Sequence, residues 1–163
     1  MKLGACGLIV LGVASLATAQ TADAPRVEAS VTVAPFAWPS WGGRATVVAA
    51  GVEIFLVDGL SAGGEVGPVF ARIPTPGYYY VLGLGSANLS YHFLRSTPTE
   101  RIKPFLTGGY STTFRAGIQS GANVGGGIDV VLKPRVSLRL EFREYLSRLR
   151  VDHVGPRVGI TFH

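Results

Sequence analysis

The sequence is short of charged residues, of cysteine and of long apolar runs. Only 15% of its 163 residues are charged, against about 25% in a typical soluble domain, and its mean hydropathy is +0.33. This composition excludes intrinsic disorder, which needs high net charge and few apolar residues. A single cysteine, Cys6, excludes a disulfide scaffold and a cysteine-based zinc site. No spacing of histidines or carboxylates predicts a metal site, and no cofactor is expected.

The first nineteen residues have the organisation of a secretory signal peptide. Lys2 supplies positive charge, residues 3–16 form an apolar core, and Ala17-Thr18-Ala19 is a small-residue cleavage site. We therefore predict a signal peptide over residues 1–19 and an exported domain over residues 20–163. Without Lys2 this domain has 14 basic and 10 acidic residues, a net charge of +4. That charge is too mild to predict nucleic-acid binding.

Alternation of apolar and polar residues is the pattern that recurs after residue 20. No apolar run of about 18 residues predicts a transmembrane helix, and the 22 glycines of the chain are scattered, which helices tolerate poorly. Turn-forming residues separate eight alternating runs, several of them near the ten residues that a tilted strand needs to cross a bilayer. The predicted strands are residues 27–36, 44–57, 60–70, 78–94, 102–115, 122–132, 136–145 and 154–162.

The two faces of these strands differ in chemistry. In the seventh strand Leu138 and Leu140 alternate with Arg139 and Glu141. An arginine facing lipid at the bilayer centre costs about 2–4 kcal/mol, so the charged face must point into a lumen. An eight-stranded barrel is only just wide enough for its own side chains, which predicts a structural, salt-bridged plug. The predicted lumen charge network is Glu53, Glu65, Asp129, Arg139, Glu141, Arg143 and Arg157.

Part of the chain recurs with an offset of 76 residues and no gap. Gly51, Glu53, Leu56, Ser61 and Glu65 recur as Gly127, Asp129, Leu132, Ser137 and Glu141. The two segments are hairpins four strands apart. In a closed eight-stranded barrel they would occupy opposite walls, so their acids would face each other across the lumen.

An ordered set of short motifs covers essentially the whole exported domain. The motifs are Gly51-Val52-Glu53-Ile54-Phe55-Leu56 running on to Leu60-Ser61 and Glu65, Ala87-Asn88-Leu89-Ser90-Tyr91-His92-Phe93, Lys103-Pro104-Phe105-Leu106-Thr107-Gly108-Gly109, Gly125-Gly126-Gly127-Ile128-Asp129 and Gly159-Ile160-Thr161-Phe162. In this order they resemble the small eight-stranded outer-membrane β-barrel family of Gram-negative bacteria. The resemblance implies an all-β, antiparallel up-and-down transmembrane barrel in the outer membrane, with both termini in the periplasm.

The same resemblance implies a C-terminal signal that the outer-membrane barrel assembly machinery reads. Here that signal is Val158, Ile160 and Phe162. The family usually ends on an aromatic residue, and this chain departs from the pattern because His163 follows Phe162.

The implied orientation places the outer loops at residues 37–43, 71–77, 116–121 and 146–153. Guanidinium groups suit bidentate phosphate contacts, so arginines at this rim predict lipopolysaccharide as a partner, with a simply solvated rim as the alternative. The rim arginines are Arg44, Arg72, Arg115, Arg148 and Arg150. Aromatic residues predict two interfacial girdles, an outer one of Trp38, Trp41, Tyr78 and Tyr79 and an inner one of Tyr91, Phe93 and Phe105.

We expect a monomer embedded in outer-membrane lipid, with a structural or surface-interaction role and without enzymatic activity. One alternative is a barrel hydrolase that modifies lipid A or phospholipid, with Ser90 or Ser96 near His92, or Ser147 near Asp152 and His153. A second alternative is a soluble exported ligand-binding barrel, in which the apolar face would point inward. An open pore is a further alternative.

Overall fold

A computed structural model of the chain describes residues 26–38, 43–57, 59–72, 79–93, 101–115, 118–147 and 150–163. Within these ranges it has eight strands, β1 (Val27–Trp38), β2 (Gly43–Val57), β3 (Leu60–Arg72), β4 (Tyr79–His92), β5 (Ile102–Phe114), β6 (Gln119–Lys133), β7 (Val136–Ser147) and β8 (Arg150–Phe162). Each strand pairs antiparallel with its sequence neighbours, and β8 pairs with β1 to close the barrel. The predicted all-β, eight-stranded antiparallel fold is confirmed. The predicted signal peptide lies outside the described residues.

We call the end of the barrel that contains Arg26 and His163 the terminal end, and the opposite end the loop end. Several strands extend further than predicted at the loop end. Strand β6 begins at Gln119 and β8 at Arg150, three and four residues before their predicted starts. Polar residues suggested loops there, but hairpin pairing continues until the chain turns, as in the pairing of Thr113 with Gln119. No helix in the described ranges is long and apolar enough to cross a membrane.

The 76-residue repeat is visible in the backbone as well as in the side chains. The β2–β3 pairing shifts register between Phe55 and Val57, and the β6–β7 pairing shifts between Val131 and Lys133, at the same offset. Such irregularities increase local twist and re-aim side chains. In the first of these hairpins Gly59 has a φ of 80°, which glycine adopts without steric cost.

The barrel wall is apolar outside and largely polar inside. Leu106 on β5 is 57% exposed, whereas Arg157 on β8 is 2% exposed. This arrangement is the reverse of the one expected for a soluble ligand-binding barrel. The exposed apolar side chains include Val33, Ile54, Leu56, Val66, Phe70, Leu89, Leu106, Tyr110, Val124, Leu140, Phe142 and Val158.

The lumen also contains an apolar region that alternation did not predict. On β1 to β4, the inward positions towards the loop end carry small or aliphatic residues, with Leu82 and Tyr145 packed against them. This buried cluster consists of Ala34, Ala45, Val47, Ala49, Val69 and Leu84. The interior is therefore ionic towards the terminal end and, on one wall, apolar towards the loop end.

Candidate functional site

Arg139 on β7 bridges carboxylates from two other strands. Its Nε and Nη2 donate to Asp129 Oδ1 and Oδ2, each at 2.9 Å, and its Nη2 donates to Glu53 Oε2 at 3.4 Å. Ser61 donates to Glu53 at 2.5 Å, and the guanidinium carbon of Arg139 lies 4.5 Å from the centre of the Phe105 ring. All of these side chains are buried. The bidentate contact and the extra hydrogen bonds offset the cost of removing the charges from water.

His92 completes this Arg139 cluster. Its Nε2 lies 3.1 Å from Glu53 Oε1 and its Nδ1 lies 4.0 Å from Asp129 Oδ2. Its ring stacks on Phe105, with 5.6 Å between the ring centres. His92 therefore belongs to the lumen, where it continues the inward alternation of β4.

Arg143 and Arg157 share one carboxylate, that of Glu65 on the opposite wall. Arg157 donates to it from Nη2 at 2.5 Å and from Nη1 at 2.9 Å, and Arg143 donates from Nη1 at 2.7 Å. Arg143 Nε also donates to Glu141 at 2.5 Å, and Arg157 Nη2 donates to Thr32 at 2.9 Å. The structure thus places all seven residues of the predicted network inside the barrel, divided between this Arg157 cluster and the Arg139 cluster.

A third cluster, at the terminal end, was not predicted. His163 Nδ1 lies 2.7 Å from Glu28 Oε1, and its Nε2 lies 2.7 Å from Ser137 Oγ. Arg26 also forms an ion pair with Glu28. These contacts join β1, β7 and the residue that follows β8. Alternation along β1 and β8 could have predicted this cluster. Glu28 lies on the same inward face of β1 as Thr32, and His163 continues the inward face of β8 that carries Thr161.

A small cavity remains between the Arg139 and Arg157 clusters. It has a volume of about 40 Å³ and is lined in part by Ser30, Asn88 and Thr107. That volume has room for a few water molecules.

The residues considered for a hydrolase are not brought together where the structure describes them. Ser90 Oγ donates to Thr107 at 3.0 Å, while His92 contacts the two carboxylates of its own cluster. Ser96 and the side chains of Ser147, Asp152 and His153 lie outside the described residues. Within the part of the chain that the structure describes, no group of three or more His, Cys, Asp or Glu could hold a metal ion.

The predicted inner aromatic girdle is partly wrong. Tyr91 and Phe93 are exposed and pack edge to face, with ring centres 5.2 Å apart. Phe105 is 2% exposed and lies in the lumen, because it shares the inward face of β5 with Thr107. The side chains proposed for the outer girdle lie outside the described part of the chain, namely those of Trp38, Trp41, Tyr78 and Tyr79.

Three of the five predicted rim arginines are described with their side chains, and all three are exposed at the loop end. Arg44 and Arg72 are direct cross-strand partners in the β2–β3 pairing. Arg115 follows β5 and has a φ of 86°. Arg148 and the side chain of Arg150 are not among the described residues.

The predicted assembly signal lies on the outer wall of β8. Val158 is exposed, and Ile160 and Phe162 are half-buried on the same face of the strand. His163 turns inward instead, into the cluster at the terminal end.

Neither a family model nor a curated protein matches this sequence. Solved structures do match its fold. The N-terminal β-barrel domain of Pseudomonas aeruginosa OprF is 14% identical with a TM-score of 0.64, and the match covers 83% of this chain and 95% of that one. Neisserial surface protein A is 14% identical with a TM-score of 0.60, covering 83% of this chain and 94% of that one.

Outer membrane protein OprG from Pseudomonas aeruginosa is 12% identical with a TM-score of 0.55, and the match covers 84% of this chain and 96% of that one. Identities this low establish similarity of fold and nothing finer. The chain therefore has the closed eight-stranded barrel fold found in outer-membrane β-barrel proteins.

Proposed function

We propose that this chain is an integral outer-membrane β-barrel with a structural or surface-interaction role and a lumen closed by ionic clusters. The observation that carries the proposal is the inverted distribution of side chains. Leu89, Leu106, Val124 and Phe142 are exposed on the outer wall, while the ionic side chains are inside. The signal peptide predicted over residues 1–19 would deliver such a barrel across the inner membrane.

A lipid environment explains the outer wall. Monomeric soluble proteins seldom expose contiguous apolar patches of more than a few hundred Å². A closed barrel pairs its backbone N–H and C=O groups within the wall, as the hydrocarbon region of a bilayer requires. The closure of β8 on β1 therefore meets a requirement for membrane insertion, and the apolar outer wall is what distinguishes it from a soluble barrel.

The ionic clusters support a closed lumen. Arg139 reaches across it to Glu53, and Arg143 and Arg157 reach across it to Glu65. An interior of eight strands has little width beyond what these side chains occupy. Passive diffusion of solutes is therefore not the function we propose.

The partners we propose follow from the two ends of the barrel. Arginines at the loop end suit phosphate groups of lipopolysaccharide, and Val158, Ile160 and Phe162 form the face presented to the barrel assembly machinery. We propose that the barrel is a monomer. We also propose that it has no enzymatic activity, since Ser90 and His92 make hydrogen bonds to different partners and not to each other.

Expression with the native leader in a Gram-negative host tests the proposal. We expect the chain in the outer-membrane fraction, extractable only with detergent, and migrating differently on gels before and after heating. A variant lacking residues 1–19 serves as the export control and should stay in the cytoplasm. A water-soluble chain in the periplasm would contradict the proposal.

A further inference from the structure

The outer wall has a groove among its apolar side chains. It runs across β1 to β4, has a volume of about 460 Å³, and has an almost entirely apolar lining. The small side chains of Ala50 and Pro68 line the groove, and the larger rings of Phe70 and Phe114 border it. The ring of Phe114 lies directly over Gly83, where an added Cβ would come within 2.0 Å of a ring carbon. The groove is thus a preformed apolar hollow bordered by two aromatic rings.

The backbone beneath the groove is irregular for a reason readable in the sequence. The β2–β3 pairing skips Gly67 and Pro68, since proline has no N–H to donate to the ladder. Gly67 also approaches β2 so closely that a Cβ there would lie 2.0 Å from the Val48 carbonyl oxygen. Gly67 and Pro68 both line the groove at the point where the β2–β3 pairing is interrupted.

A second hollow continues the groove towards the loop end and adds positive charge. It has a volume of about 240 Å³ and shares Phe70 and Val81 with the groove. Arg44 and Arg72 line it and face each other as direct cross-strand partners. Guanidinium groups donate charge-assisted hydrogen bonds to phosphate oxygens, so an anion bound in this hollow would be stabilised by both arginines.

Arg115 also lines the groove, at a backbone position of positive φ. Strict alternation would direct residue 115 into the lumen, on the face of Thr113. Its φ of 86° breaks the alternation, and Arg115 lines the outer groove instead. A positive φ costs a non-glycine residue about 1 kcal/mol or more, and such strain tends to persist at functional sites.

We propose that the two hollows form one binding site for a phosphorylated, acylated glycolipid of the outer leaflet, of the lipid A class. An acyl chain lies in the apolar groove, and a phosphate accepts hydrogen bonds from Arg44 and Arg72. Guanidinium groups match the geometry of phosphate oxygens. The acyl chain gains dispersion contacts with the apolar side chains that line the groove. The inference rests on the proposed function, because it requires the loop end to face the outer leaflet.

Native mass spectrometry of the folded chain in non-ionic detergent micelles tests the phosphate half of the site. We expect saturable binding of one bisphosphorylated lipid A. Removing both phosphates from the lipid, or combining Arg44→Glu with Arg72→Glu, should weaken binding about tenfold or more. The matched control is Lys133→Glu with Arg135→Glu, which reverses two exposed charges at the terminal end and should leave binding unchanged.

A second pair of variants tests the groove. Ala50→Leu fills it and should weaken lipid A binding several-fold. Ala87→Leu makes the same change on the exposed wall of β4, outside the groove, and should have no effect. Heat-modifiable migration of each variant shows that it is folded before binding is measured.

Three results would overturn this inference. The first is equal affinity for the dephosphorylated lipid, and the second is unchanged affinity after the Arg44 and Arg72 reversals. The third is displacement of lipid A by inorganic phosphate together with unchanged lipid A binding by the Ala50→Leu variant. The last of these would indicate a site for free phosphate. Failure of the proposed function looks different, because the chain would then stay soluble without detergent before any lipid is added.

Discussion

Arg139 on β7 and Glu53 on β2 meet across the lumen, with Nη2 and Oε2 3.4 Å apart. The same guanidinium holds Asp129 on the neighbouring strand β6 at 2.9 Å. Glu53 and Asp129 occupy equivalent positions in the 76-residue repeat. One arginine therefore satisfies an acid from each of the two repeated hairpins.

The second pair of repeated acids follows the same rule. Glu65 and Glu141 both accept hydrogen bonds from Arg143, at 2.7 and 2.5 Å. The repeat thus supplies paired carboxylates from opposite walls, and β7 supplies an arginine to each pair.

Replacing Arg139 with methionine should destabilise the barrel strongly. The change leaves Asp129 and Glu53 buried without their shared cation, a situation that costs about 3–5 kcal/mol. Urea unfolding from lipid vesicles measures the loss in the free energy of unfolding. Arg135→Met, in the exposed β6–β7 turn, is the matched control and should change little.

Neutralising the acids at the same time provides a second check. Adding Asp129→Asn and Glu53→Gln to Arg139→Met should recover part of the lost stability, since no isolated charge then remains buried. An Arg139→Met protein as stable as the original would show that the cluster contributes nothing to the fold.

A side chain added at Gly127 should destabilise the barrel, whereas one added at Gly85 should not. A Cβ at Gly127 would lie 2.1 Å from the backbone carbonyl oxygen of Leu140, so β6 and β7 would have to separate. We expect Gly127→Ala to cost about 1–3 kcal/mol, as overpacking usually does. At Gly85 the nearest atom is 3.9 Å from the added Cβ, so Gly85→Ala is the control. Equal unfolding free energies for the two variants would refute this explanation.

Much of the fold could be predicted because lipid and lumen require opposite chemistry on alternate residues. Alternation in β7 therefore predicted both the strand and the inward side of Arg139 and Glu141. It could not predict which acid each arginine meets, because that depends on how the strands are staggered around the barrel. Phe105 was misplaced because an aromatic residue near a strand end suits an interface and a lumen equally well.

The apolar part of the lumen was unpredictable for a related reason. Strands with apolar residues on both faces, such as the start of β2, lose the alternation that distinguishes inside from outside. Val47 and Val48 are one example, since the first is buried in the lumen and the second lines the outer groove. Neighbouring strands, rather than local pattern, decide which residue points inward.

Removing His163 should loosen the junction of the first and last strands. The ring contacts Glu28 and Ser137, each at 2.7 Å, and loss of hydrogen bonds to a charged group costs about 1–3 kcal/mol. His163→Phe keeps an aromatic ring at this position without those contacts, so it separates the hydrogen bonds from the packing of the ring. We expect both variants to unfold at lower urea concentrations in vesicles. An unchanged midpoint in both would show that the cluster at the terminal end is dispensable.

The original chain should show no stepwise conductance in planar bilayers. Combining Glu65→Ala with Arg143→Ala removes one acid and one base from the narrow interior. Glu141 and Arg157, which lie 3.9 Å apart, remain to pair with each other. We expect this variant to fold and to pass small currents, because water can then replace the two lost side chains.

The control for that measurement removes a neutral pair from the same lumen. Ser86 and Ser111 have hydroxyl oxygens 2.7 Å apart, and changing both to alanine should open no conductance. Stepwise currents from the original chain would contradict the closed lumen.

The most direct test of the membrane barrel uses two adjacent residues on β5. Phe105 points into the lumen, whereas Leu106 points outward. In a background with Trp38→Phe and Trp41→Phe, one variant carries a single tryptophan at position 105 and the other a single tryptophan at position 106. The variants are folded into vesicles that contain lipids brominated on their acyl chains. We predict strong quenching of tryptophan fluorescence at 106 and weak quenching at 105. Equal quenching at both positions, or stronger quenching at 105, would contradict a barrel with its apolar wall in lipid.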